Sequence, residues 1–479
     1  MKQYIKQIAD KGSEHFFYVG ATLITALVHF LYSVYAKAHI EPLEFGIYST
    51  CLLLKTYFSY AQLGTLNAFN RDYSQIIGAK DYDRAKRYRD TVFSYLLLVF
   101  SILSIFGSLV IILVGSLNGS DSRYIYGLSL CTIITLTTLL ENFLCSRVRI
   151  DGNFKFTSIV LLVELFSVVI GLIIIPKIGY YSLYIVTISS SVIGILMYYK
   201  RGISDIHLSI DKALLKSIIF SGIPLLINNL IWTVVDSIDK FVILGFMNAE
   251  RLGVYSIAQM AFSYMILIPS AMSSLFYVNL GKIYGATGSV DELNRTATRY
   301  TLIIASVISF FVLAAYFFMG PLVKLIMPKY SDGISSAQIL MLALAIYTPT
   351  MVTGNILTLL KKNAALLRGS IYLCILNAIC SVGFVLVLGA KLESVALGTA
   401  MSYLIRTLIL IIQLKREAGT DVKDMIKTSI IPVFLIAGPG ILLYHSGLNI
   451  WVGFVLAAGI ALAIFLAIYR KQVMEAFRK

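Results

Sequence analysis

Apolar stretches of about 20 residues recur along almost the whole chain, separated by short polar turns. A bilayer core takes roughly 20 mostly apolar residues to cross as a helix, and with no water present a spanning backbone must satisfy its own hydrogen bonds. Fourteen segments meet that length: about 16–36, 46–69, 92–115, 124–144, 156–175, 180–199, 214–235, 252–278, 300–320, 335–360, 366–388, 394–414, 428–445 and 450–469. The thirteenth is short and holds Pro432 and Pro439. Of the 479 residues, 58% are hydrophobic and 14% charged. Soluble domains carry about 25% charged residues, so a soluble globule is excluded. The start, Met1 to Glu14, is polar and carries Lys2, Lys6 and Lys11, so the first span is expected to direct insertion itself, without a cleaved leader.

A phrase recurs inside this pattern. Phe45-Gly46-Ile47-Tyr48-Ser49 returns as Leu252-Gly253-Val254-Tyr255-Ser256, and downstream Gly78-Ala79 answers Gly285-Ala286 while Asp83…Arg87 answers Asp291…Arg295. Such register implies a duplicated bundle, a common plan for transporters. The expected fold is an all-α polytopic membrane protein of about 14 transmembrane helices. Two six-helix lobes would be related by a pseudo-twofold along the membrane normal, because six is even and both lobes enter the bilayer in the same sense. Two C-terminal helices would be added. The expected division is 1–200, 201–414 and 415–479, with the polar stretch Lys200 to Asp211 as hinge. The two large inner loops, Arg71 to Asp90 and Asn279 to Arg299, are expected to hold either short amphipathic helices or solvated connectors.

The net charge is +15. Its distribution argues for topology rather than nucleic acid. With both termini on the cytoplasmic side, the inner segments hold 30 Lys/Arg and the outer loops 8, while Lys55 and Arg406 fall within spans. The positive-inside rule selects that orientation, and inner-leaflet anionic lipid favours it. No phosphate loop, zinc-protease helix, Cys-x-x-Cys pair or nucleophile elbow occurs, so no enzyme activity, cofactor or metal is expected. The five cysteines sit in or beside spans and read as small core residues.

Charged side chains at mid-bilayer cost about 2.5–3.5 kcal/mol and therefore mark partners or cavities. Lys55 is central in the second span, on a helical stripe with Tyr48, Ser59 and Gln62. Arg406 lies in the twelfth with Gly398, Ser402 and Gln413; Glu164 is central in the fifth; Glu141 is near the inner end of the fourth. The first span adds His29 to a stripe of Thr22, Thr25 and Tyr32, and the seventh adds Asn229, Trp232, Asp236 and Asp239. If these stripes line one wet cleft, Lys55 and Arg406 would receive an anionic cargo, with His29, Tyr48, Gln62 and Asn229 as further substrate contacts. Arg is a forked phosphate donor, Lys a point charge, and Tyr a flat face for sugars. Glu164, Glu141 and Asp236 would then carry coupling ions, H+ or Na+. The competing expectation is structural: Lys55 or Arg406 paired with Glu164 or Glu141, and Asp236, Asp239 and Lys240 as plain boundary charges.

The run Ala36 to Ser49, with its acidic-proline turn before Phe45-Gly46-Ile47-Tyr48, resembles the opening signature of bacterial polysaccharide flippases of the multidrug/oligosaccharidyl-lipid/polysaccharide exporter superfamily. Tyr60-Ala61-Gln62-Leu63-Gly64 followed by Arg71 looks like that family's second-span ending. Ser221-Gly222-Ile223-Pro224-Leu225 and Asp239 to Gly245, leading to Leu252 to Ser256, are similar to its second-half opening. The resemblance implies an inner-membrane flippase for an undecaprenyl-diphosphate-linked oligosaccharide, a unit of O-antigen and hence lipopolysaccharide, of capsule or of exopolysaccharide. It would act beside polysaccharide polymerase machinery. A lipid II flippase and a multidrug cation antiporter of the same superfamily remain alternatives. A polymerase or ligase would need a large outer loop, and none is visible.

Overall fold

The computed structural model describes residues 2–199 and 206–477. The division expected at 200/201, and residues 200–205 of the expected hinge, lie outside the described residues. Among the described residues, thirteen helices are long and apolar enough to cross a membrane. With the interrupted second segment they make fourteen: α1 Phe17–His39, α2 Pro42–Phe58, α3 Tyr82–Leu117, α4 Ser122–Ile150, α5 Phe154–Ile178, α6 Tyr181–Tyr199, α7 Lys212–Phe246, α8 Ala249–Thr287, α9 Val290–Ile326, α10 Pro328–Leu359, α11 Ala364–Leu388, α12 Leu392–Ala418, α13 Val422–Tyr444 and α14 Ile450–Arg470. No strand occurs among the described residues.

Helix starts are set by the polar turns. Asp81, Asp121, Asp211, Asn248, Ser289 and Asp421 each accept a hydrogen bond from a first-turn backbone N–H, at 2.9–3.3 Å. Each cap satisfies a donor that the helix cannot pair internally. The amphipathic residues of the two large loops are absorbed into helices rather than forming separate ones. Ala85 and Tyr88 are buried in the first turns of α3, and Leu293 and Ala297 in those of α9. α2 is the exception to regularity. After Phe58 it tightens into a 3₁₀ turn, Ser59–Gln62, passes through left-handed Leu63 and Gly64, and resumes to Gly78 through a π turn at Phe69–Tyr73.

The chain divides into two compact units, Met1–Thr233 and Val234–Lys479, so the division falls inside α7. In the first unit α2 packs on α4, α3 on α4, α4 on α6 and α5 on α6. In the second, α8 packs on α10, α9 on α10, α10 on α12 and α11 on α12, the same pattern one repeat later. The first core centres on Phe69, Val92, Leu96, Phe100 and Phe143. The second follows a helical stripe on α9, Leu293, Ala297, Ile304, Ile308 and Val312. α13 and α14 join this unit through aromatic contacts on α9, Phe318 lying 4.8 Å from Trp451 and 5.0 Å from Phe454 between ring centroids.

Within the first unit, the break in α2 receives the first half of α7. The backbones meet glycine to glycine: a Cβ on Gly64 would lie 2.6 Å from the Gly222 carbonyl carbon. Gly64 also needs its positive φ of 80°. Tyr60 and Thr233 hydroxyls lie 2.5 Å apart. Asp72 accepts from Arg71, Tyr88 and Ser221, fastening the same seam. Burial alone would raise the Asp72 carboxyl, but those hydrogen bonds outweigh it and hold it below the ordinary carboxylate range.

Candidate functional site

In the first unit Lys55 projects from α2 toward Cys131 of α4 and is half-buried. Among the described residues no hydrogen bond or ion pair engages its ammonium. The rest of its stripe is committed otherwise. Tyr48 packs edge-on against Tyr184 at 4.9 Å. Ser59 donates back to the Thr56 carbonyl, and Gln62 Oε1 accepts the Leu66 N–H at 3.1 Å, so Gln62 caps the resumed helix. Asn229 is exposed and donates to Asn67 at 3.5 Å. His29 is half-buried on α1.

The two glutamates meet each other rather than a cation. The Glu141 and Glu164 carboxyls lie in each other's fields, and Ser191 of α6 lies beside Glu141. They fill the space over Gly194, where a Cβ would stand 2.5 Å from Glu164 Oε1 and 3.0 Å from Glu141 Cγ. Neither has Lys55 or Arg406 among its partners.

In the second unit Arg406 is 6% exposed. It donates to Thr350 Oγ1 at 3.4 Å and stands 5.3 Å over the Tyr347 ring. Tyr403 stacks obliquely on Tyr347 at 4.9 Å and lies in the fields of Arg406, Asp236 and Asp239. Asp236 and Asp239 part company. Asp236 is exposed, whereas Asp239 is buried and accepts from Tyr255 and Thr399, each at 2.6 Å. Thr399 also lies 3.3 Å from Asn377 Oδ1, which accepts from Ser381 at 2.9 Å. Reading the sequence had left Asp239 as an even choice between boundary and site, and had missed Asn377, Ser381, Thr399 and Tyr347. Small polar residues are too common in spans to signal anything alone.

The duplication aligns these loci. The register that superposes Tyr48 on Tyr255 carries Tyr32 onto Asp239. One locus thus carries a tyrosine in the first unit and a buried aspartate in the second.

Among the described residues, twelve spans in two matching sets and two further spans, with charges embedded in both sets, define a polytopic all-α fold. The chain is similar in fold to the lipid II flippase MurJ in an inward closed conformation, at 16% identity and a TM-score of 0.69 over 95% of this chain and 99% of that one. It is also similar to an inward-facing multidrug resistance MATE family transporter of the MOP superfamily, at 17% identity and 0.66 over 85% and 96%. A MOP superfamily transporter from Pyrococcus furiosus matches at 15% identity and 0.56 over 85% and 96%. The sequence profile of a polysaccharide biosynthesis protein family matches residues 40–330, and the chain belongs to that family. Among curated proteins, none matches significantly.

Proposed function

We propose that this protein flips an undecaprenyl-diphosphate-linked oligosaccharide from the inner to the outer leaflet of the bacterial cytoplasmic membrane by alternating access. The glycan is a repeat unit of O-antigen, capsule or exopolysaccharide, and both termini are cytoplasmic. The observation that supports this best is Lys55. A half-buried ammonium on a membrane-embedded helix, with no carboxylate beside it, wants an anion, and a diphosphate is one. Arg406, backed by Tyr347 and Thr350, supplies a second basic group, and His29 and Asn229 complete the cargo contacts. Glu141, Glu164 and Asp236 carry the coupling ion. Family membership in polysaccharide biosynthesis favours a glycan carrier over a drug antiporter.

The test is complementation. In cells deleted for the gene, Lys55→Ala and Arg406→Ala should each reach the membrane yet restore little surface glycan, while Lys55→Arg and Arg406→Lys restore more. Normal glycan in both alanine variants and in the double variant would remove the basic-group reading. The lipid-linked intermediate that accumulates on deletion identifies the cargo by its sugars. A peptidoglycan precursor there, with loss of viability, would redirect the assignment to lipid II.

A further inference from the structure

We propose that Glu141 and Glu164 form a proton site in the first unit, holding one proton between two carboxyls, and that this proton rather than a metal cation is the coupling ion. The inference rests on the transport reading and decides what that reading leaves open.

The geometry comes from three helices. α4 supplies Glu141, α5 supplies Glu164, and α6 supplies the vacancy at Gly194 into which both reach. Two carboxylates in contact cannot both stay ionised in a low-dielectric setting, so the pair retains at least one proton while it remains closed. Glu164 is 8% exposed, and among the described residues its Oε1 has no hydrogen-bond partner. A buried oxygen in that state is costly unless something visits it. The groups facing the pair are few. Ser191 and Tyr198 come from α6 and Cys145 from α4; Arg149 lies beyond, in the fields of Cys145, Tyr198 and Tyr18. Among the described residues no cation is among the groups acting on either carboxyl.

The donor set suits a proton better than a metal. Calcium and magnesium take six or more oxygens. Among the described residues Ser191 is the further side-chain oxygen beside the pair. Among the described residues no group of three His, Cys, Asp or Glu is placed to hold a metal ion. A proton needs only the two oxygens already in contact. It is bound as the pair closes over Gly194, and it leaves to water when the pair parts and both carboxylates are solvated.

The experiment is infrared spectroscopy of the purified full-length protein in lipid nanodiscs. At neutral pH in a sodium-free buffer, the native protein should show the carbonyl band of a buried protonated carboxyl. Sodium chloride should leave the band unchanged against choline chloride. Glu164→Gln and Glu141→Gln should each shift or abolish it. Gly194→Ala, which crowds Glu164 Oε1 without removing a carboxyl, should shift it and serves if the glutamine variants fail to fold. A band untouched by all three substitutions, no band at all, or a band that falls when sodium is added would overturn the proposal. The measurement uses resting protein without cargo. It can therefore fail while glycan transport stands, and it can succeed even if Lys55→Ala transports normally.

Discussion

Replacing Lys55 with Met keeps the side chain's length and apolar stem and removes the ammonium. A charge at mid-bilayer costs about 2.5–3.5 kcal/mol, and a half-buried one bears roughly half of that, so Lys55→Met should stabilise the folded protein by about 1–2 kcal/mol. Unfolding entropy near 2.1 cal/mol/K per residue, over 479 residues, converts this to a rise of about 1–2 °C in Tm. The assay is built into the chain. Cys51 and Cys131 are free and buried, and both flank the Lys55 environment, so a thiol-reactive dye reports melting in detergent. Flipping of lipid-linked glycan should be lost in the same variant. A more stable yet inactive protein is the signature of a group retained for binding at the expense of the fold. If Lys55→Met lowers Tm, the ammonium is serving the structure through a partner, and the reasoning from an unanswered cation collapses.

Two further perturbations probe the seam between α2 and α7. Gly222→Ala places a Cβ 2.7 Å from the Gly64 carbonyl carbon, an obstacle that cannot swing aside; a loss of about 1–3 kcal/mol is expected, read as a lower Tm. Gly285→Ala, with nothing within 4 Å, should be silent in the same measurement and serves as its control. Asp72→Asn tests the electrostatic part. Because the folded carboxyl is held below its unfolded value, it stabilises the protein above the unfolded value, near 3.9, and that stability drains away as pH falls through the folded one. The variant should therefore melt lower at neutral pH and show a flatter acid limb; parallel Tm-versus-pH curves would refute the assignment.

Much of the architecture was legible because the bilayer forces it. Runs of about 20 apolar residues have few alternatives, and Gly46-Ile47-Tyr48-Ser49 with its echo at Gly253 located two equivalent helix starts. The break in α2 was partly written at Gly64, but its cause is Gly222, far away in sequence. The candidate residues were legible singly and not as a set. Glu141 and Glu164 stood out as costly, yet nothing in their spacing says that they touch. The missing clue was Gly194 on a third helix, whose empty side admits both. Asp239 was read as a residue near the boundary because charges are tolerated there. Tyr255, one of the repeated tyrosines, is what draws it inward. Arg406 was rightly marked as embedded, while its backing by Tyr347 and Thr350 depends on α10 crossing α12, which no local pattern encodes.

Almost every cap described above comes from the turn that precedes its own helix, within three residues of the donor it satisfies. These six helices thus have their N-terminal ends finished as they leave the ribosome, before any later segment exists to help. Insertion can proceed pair by pair through the translocon, leaving only the acid pair, the glycine seam and the aspartate network to be assembled once their distant halves arrive.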